Sequence, residues 1–175
     1  MHLLVLNVLR EKMMKTMMMM VMMAMMMGVA MGDIVDKTCK QTPDYSLCLS
    51  LLRSDPRSSS ADTVGLGLIL VDKIKALGTE TLGQINMAYK TKPMLKKPLD
   101  ECNLRYKTIV DVDVHTAIIA IKGNPKFAEG AIVDAGVEAS VCEGGFPKGQ
   151  SPITGLTQKM NEICDVTRAI VRMLL

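Results

Sequence analysis

Beyond residue 32, apolar side chains recur at spacings of three and four, the pattern of helices that bury one face. In segment 33–57 this predicts two short helices folded back as a hairpin. Thr42 reads as the N-cap of the second arm, Pro43 as its first helical residue and Asp44 as an acid at the positive helix start. Leu47, Cys48, Leu51 and Leu52 supply the apolar stripe, and Asp55 and Pro56 stop it. After a Ser58, Ser59, Ser60 linker, residues 61–89 carry a long stripe through Val64, Leu68, Val71, Ile74, Leu77, Leu82, Ile85 and Tyr89. Gly65, Gly67, Gly78 and Gly83 weaken that helix by up to about 1 kcal/mol each relative to Ala, which leaves room for a kink near Gly78.

Residues 98–121 repeat the pattern through Leu99, Cys102, Tyr106, Ile109, Val114, Ala117, Ile118 and Ile121. Within it, Val110-Asp111-Val112-Asp113-Val114 alternates as a strand does. No turn residue brackets the run and the helical spacing continues on both sides, so the reading is helix. Gly123 ends this helix, and Asn124 with Pro125 starts the next as N-cap and first residue. Its stripe is Ala128, Ala131, Ile132, Ala135, Ala139 and Cys142. A loop over 143–151 leads to Ser151 and Pro152, which open a last helix with Leu156, Met160, Ile163, Thr167, Ile170 and Leu174 as its seam. The expected fold is all-α: an up-and-down four-helix bundle over 61–175, preceded by the helical hairpin of 33–57.

Composition separates the first 32 residues from the rest. Of 17 methionines, 13 lie at or before Met31. Arg10, Lys12 and Lys15 precede an uncharged run from Thr16 to Gly32, and the small residues Gly28, Ala30 and Gly32 close it. That is the layout of a secretory signal peptide removed near Ala30 or Gly32, and at 17 residues the run sits at the low edge of a bilayer span. Without residues 1–32 the chain keeps 18 basic and 17 acidic residues, a net charge of +1. A nearly neutral chain whose densest basic cluster is Lys90, Lys92, Lys96 and Lys97 does not read as a nucleic-acid binder. With no Trp, and Phe127 and Phe146 as the phenylalanines, it also lacks the aromatic platforms on which sugar-cleaving clefts are built.

The remaining chemistry is sparse. His115 sits alone on a helix, without a nucleophile or orienting partner nearby in sequence. Asp100 with Glu101, and Asp111 with Asp113, have spacings that diverge on a helix and read as solvated faces. No Cys-x-x-Cys or glycine-rich phosphate loop is present, so no metal, no cofactor and no catalytic residues are expected. All five cysteines, Cys39, Cys48, Cys102, Cys142 and Cys164, follow the leader and would meet an oxidising compartment. Four paired cysteines allow three connectivities, and the choice of the odd one multiplies that by five. A Cys39–Cys48 bridge would join the hairpin arms locally, and antiparallel neighbouring helices would bring Cys102 toward Cys142, but the residues alone leave all these pairings open.

Cys39-Lys40-Gln41-Thr42-Pro43-Asp44-Tyr45-Ser46-Leu47-Cys48, the helix around Leu99 to Tyr106, the segment Gly123 to Glu129 and the stretch Asp165 to Leu175 together resemble the plant invertase inhibitor family, whose close relatives are pectin methylesterase inhibitors. The resemblance covers essentially the whole chain after the leader. It implies the bundle with its hairpin, the pairs Cys39–Cys48 and Cys102–Cys142 and inhibition through a one-to-one complex; Cys164, on the last helix beside the apolar seam, departs from the pattern and is left as the free thiol. Pro125-Lys126-Phe127 is similar to the element that invertase inhibitors present to the sucrose site of acid invertase, which pectin methylesterase inhibitors generally lack. The implied partner is therefore acid invertase of the cell wall or vacuole, alternatively pectin methylesterase, met in the apoplast or vacuole with no membrane association once the leader is removed. Asn124, Pro125, Lys126 and Phe127 are the expected binding residues, on a surface turn close to the Cys102–Cys142 staple. Retaining glycosidases hold two carboxylates, so Lys126 suits a cationic plug, Phe127 an apolar anchor and Pro125 a device that fixes the turn.

Overall fold

The computed structural model describes residues 10–19 and 34–175, which fall into two units divided between Ile34 and Val35. Residues 10–19 are helical. The expected cleavage positions near Ala30 and Gly32 lie outside the described residues, as does most of the uncharged run. Among the described residues no helix is long and apolar enough to cross a membrane.

Residues 34–39 form α1, and Tyr45–Arg53 form α2. The N-cap of α2 is Asp44, not Thr42: Asp44 Oδ1 accepts the N–H of Leu47 at 2.8 Å, while the Thr42 hydroxyl donates back to the carbonyl of Cys39 at 2.8 Å. Both residues suit the role, and a carboxylate placed nearer the helix gains more from the positive end than a hydroxyl does. The arms are joined by the Cys39–Cys48 disulfide and by Tyr45, whose hydroxyl donates to Asp36 at 2.6 Å. The serine linker is a short 3-10 helix, Pro56–Ser60, tied to the bundle by Arg57, which bridges Asp55 and Asp72 at 2.8 Å each.

The bundle consists of α3 (Thr63–Thr91), α4 (Lys96–Thr108) continued through a π turn (Ile109–Asp113) into α5 (Val114–Ala120), α6 (Pro125–Gly144) and α7 (Thr154–Arg172). α4 and α5 act as one rod, so four rods pack in a ring, each antiparallel to the next in sequence: α3 on α4, α4 and α5 on α6, α6 on α7, and α7 back on α3. α3 runs through Gly78 without the break for which the glycines left room. A Cβ added at Gly78 would come within 2.8 Å of Val110, so the glycine serves close approach of two helices. The strand-like Val-Asp alternation coincides with the π turn, whose wider winding turns Asp113 inward. α7 starts at Thr154 instead of Ser151 because Glu143 of α6 accepts the hydroxyls of both Ser151 and Thr154, at 2.7 and 2.6 Å.

Ile74, Leu99, Tyr106, Ile109, Ile132 and Met160 share one core with the small stripe Ala128, Ala131, Ala135 and Ala139 of α6, and Leu66 and Leu70 of α3 are fully buried as well. Cys102 is bonded to Cys142 near the start of α4 and the end of α6. The staple therefore closes the end of this helix pair opposite the Asn124 turn, not close to it: the eighteen residues of helix from Asn124 to Cys142, at 1.5 Å each, separate them by about 27 Å.

Candidate functional site

The join between α5 and α6 is as short as the sequence implies. The N–H groups of Gly123 and Asn124 both donate to the carbonyl of Ala120, at 3.1 and 2.7 Å. Asn124 then caps α6, its Oδ1 accepting the N–H of Phe127 at 3.2 Å, and Pro125 fills the first helical position. These bonds occupy the backbone and point the next two side chains out: Lys126 is 75% exposed and Phe127 59% exposed. An exposed phenylalanine beside an exposed ammonium, on a backbone this closely tied, is a surface prepared for contact.

Lys126 occupies the second residue of α6, where the helix dipole disfavours a cation. Glu129 compensates. Its side chain is 4% exposed, and Lys126 Nζ lies 2.7 Å from its Oε2. Across the interface with α7, Arg168 Nε and Arg172 Nε lie 3.2 and 3.5 Å from its Oε1. Lys126 first, then Arg168 and Arg172, holds the Glu129 carboxyl below its ordinary range. Neither Glu129 nor the two arginines stands out in the sequence; the only local signal is the three-residue spacing of Lys126 and Glu129.

On the other flank of Phe127, a shallow cleft of about 250 Å³ is lined by Val112, Asp113, Thr116, Gly130, Ala131 and Asp134. Asp113 is 8% exposed, which corrects its expected place on a solvated face; Asp111 does lie exposed. The π turn accounts for the difference, since it breaks the spacing from which the outward position was read. Among the described residues Asp113 Oδ2 has no hydrogen-bond partner, and burial, reinforced by Asp134 and Glu138, pushes the carboxyl up to about 6.

The other candidates sit apart from the turn. His115 is exposed. Asp100 accepts from Lys96 and Tyr89, and Glu101 pairs with Arg105 within α4. Cys164 is a free thiol buried on α7, and burial pushes it up to about 12, which keeps it protonated and unreactive. Among the described residues no group of three His, Cys, Asp or Glu side chains is arranged to hold a metal.

An exposed cation and ring on a capped turn make a candidate binding surface. The family profile described as "Plant invertase/pectin methylesterase inhibitor" matches residues 33–170. The chain belongs to that family. Among its members, the "Cell wall / vacuolar inhibitor of fructosidase 1" of Arabidopsis thaliana is 62% identical over 143 residues, 81% of this chain and 69% of that protein. The "Pectinesterase inhibitor" of Actinidia deliciosa is 30% identical over 83% of this chain and 81% of its own length. The crystal structure of mutant form A of a pectin methylesterase inhibitor from Arabidopsis superposes with a TM-score of 0.65 over 77% of this chain and 93% of its own, at 18% identity, which speaks for the shared fold. The family is one of inhibitors, so this inhibitor-family chain works by binding an enzyme and not as one.

Proposed function

We propose that this chain inhibits plant acid invertase, a β-fructofuranosidase, by forming a one-to-one complex in which the Pro125-Lys126-Phe127 turn enters the sucrose site. The observation that carries this reading is the outward pair of Lys126 and Phe127 on a capped, hydrogen-bonded turn. The 62% identity to a protein named as a fructosidase inhibitor supports this target over pectin methylesterase, whose inhibitor is a relative at 30%. An ammonium entering a pocket that holds two carboxylates gains charge-assisted hydrogen bonds, and a ring already fixed at the rim loses little freedom on binding. Residues 1–32 act in this reading as a secretory leader, and the target is met in the cell wall or vacuole.

The test is an inhibition assay of residues 33–175 against purified acid invertase and, in parallel, pectin methylesterase. Sucrose hydrolysis is expected to be suppressed at micromolar inhibitor or below, with the esterase unaffected. Lys126→Ala and Phe127→Ala should each weaken inhibition by at least ~1 to 2 kcal/mol, as central interface anchors do, with the helical circular dichroism unchanged. Full invertase activity at micromolar inhibitor would overturn the reading, and suppression of the esterase alone would transfer it to the second target.

A further inference from the structure

We infer that Glu129 is the positioning residue that aims Lys126, and that Arg168 and Arg172 supply the charge that keeps Lys126 available to an acidic group on the target. The inference rests on the proposed invertase contact and names the groups that tune it. Glu129 uses its two oxygens separately. Oε2 holds Lys126 at 2.7 Å, and Oε1 faces the two arginines of α7 at 3.2 and 3.5 Å.

A lysine at the start of a helix, paired with a carboxylate and nothing else, would be fixed in direction but spent as a charge. Here one carboxylate is shared among three cations, so the four groups carry a net charge of +2. Lys126 is thus directed without being neutralised. Burial of Glu129 makes its position rigid, while the exposed sides of Arg168 and Arg172, 43% and 59%, extend the positive field from the turn along α7. A cleft formed by Pro43, Asp165, Arg168, Ala169 and Arg172 continues that face toward the hairpin. The acidic group recognised is a carboxylate of the enzyme, because the cluster adjoins the turn proposed to enter a two-carboxylate pocket.

Positioning and simple electrostatics predict opposite signs for one substitution. Glu129→Gln raises the local charge to +3, so a role through charge alone would tighten inhibition, whereas loss of aim loosens it. A double-mutant cycle on invertase inhibition should show Glu129→Gln weakening the complex about three- to tenfold in the native background and having no effect in a Lys126→Met background. Arg168→Gln/Arg172→Gln, two exposed positions that leave the core intact, should weaken inhibition about tenfold at low salt and much less at 0.5 M salt. The free protein gives an independent readout: the Lys126 ammonium should be visible by proton–nitrogen NMR as a slowly exchanging, hydrogen-bonded group, and should be lost to exchange in Glu129→Gln. Unchanged or tighter inhibition by Glu129→Gln, or an equal loss in the Lys126→Met background, overturns the inference while leaving invertase as the target. A native chain that fails to inhibit invertase removes both, even where the ammonium signal is present.

Discussion

Two carboxylates are buried on either flank of Phe127, and their surroundings are opposite in sign. Glu129 is met by Lys126, Arg168 and Arg172, and Lys126 above all holds its carboxyl low. Asp113 meets no cation among the described residues; desolvation above all, with Asp134 of its cleft and Glu138 beyond, pushes it up to about 6. Low exposure alone therefore does not fix the charge a carboxyl carries: desolvation prevails at Asp113, and cationic partners outweigh it at Glu129. One flank of the turn is a saturated positive cluster that stays ionised, while the other is an acidic cleft whose charge varies within the mildly acidic range.

The largest expected effect lies on the unpaired flank. Asp113→Asn should stabilise the fold at pH 7, by ~3 kcal/mol at most, since one pKa unit corresponds to about 1.4 kcal/mol. The sign follows from a folded-state value of about 6 against an ordinary 3.8: the folded state binds the extra proton, so stability falls as pH rises through that window and stays lowered above it. Urea unfolding at pH 7 and pH 4 checks this, and a gain as large at pH 4 as at pH 7 would rule it out. On the paired flank the sign reverses. Glu129→Gln should destabilise by about 1 to 2 kcal/mol at pH 7, the scale of a hydrogen bond to a charged group, and that difference should disappear as the medium is acidified below the lowered Glu129 value.

Asp134→Asn is a milder probe of the same contrast. It should raise stability by less than ~1 kcal/mol and shift the Asp113 midpoint downward in a carboxyl-carbon NMR titration, because burial, the larger cause, remains. The smallest change is expected for Lys126→Met, within ~0.5 kcal/mol in thermal unfolding. Lys126 is itself exposed, Arg168 and Arg172 stay on Glu129 when it is removed, and loss of a cation from a helix start offsets the lost pair. A destabilisation above ~2 kcal/mol there would mean that Lys126 is structural.

The helices, their order and the short Asn124 join are legible because they follow from local spacing and from cap chemistry within four residues. The cap of α2 shifts from Thr42 to Asp44 because both side chains suit the role and only their distances from the helix start separate them. Gly78 reads as a weak point in one helix, and its reason, Val110 across the interface, belongs to another. Glu129 is invisible for the same reason: Arg168 and Arg172 are 39 and 43 positions away and meet it only after α6 packs on α7. Asp113 is misjudged because the π turn displaces it from the regular 3.6-residue count. Local chemistry was readable, and long-range electrostatics was not.

The π turn between Ile109 and Asp113 also has the form of a one-residue insertion absorbed by a helix. Deleting one residue there would let α4 and α5 wind as one regular helix with the two halves facing as they do now, since the wide turn takes up about the 100° that one extra residue adds. Cys102 would keep its facing with Cys142, while Asp113, placed by the turn itself, would leave its cleft. The single surplus residue thus shapes the acidic flank without disturbing the staple, so a one-residue deletion here should preserve the bundle and abolish the raised Asp113 carboxyl.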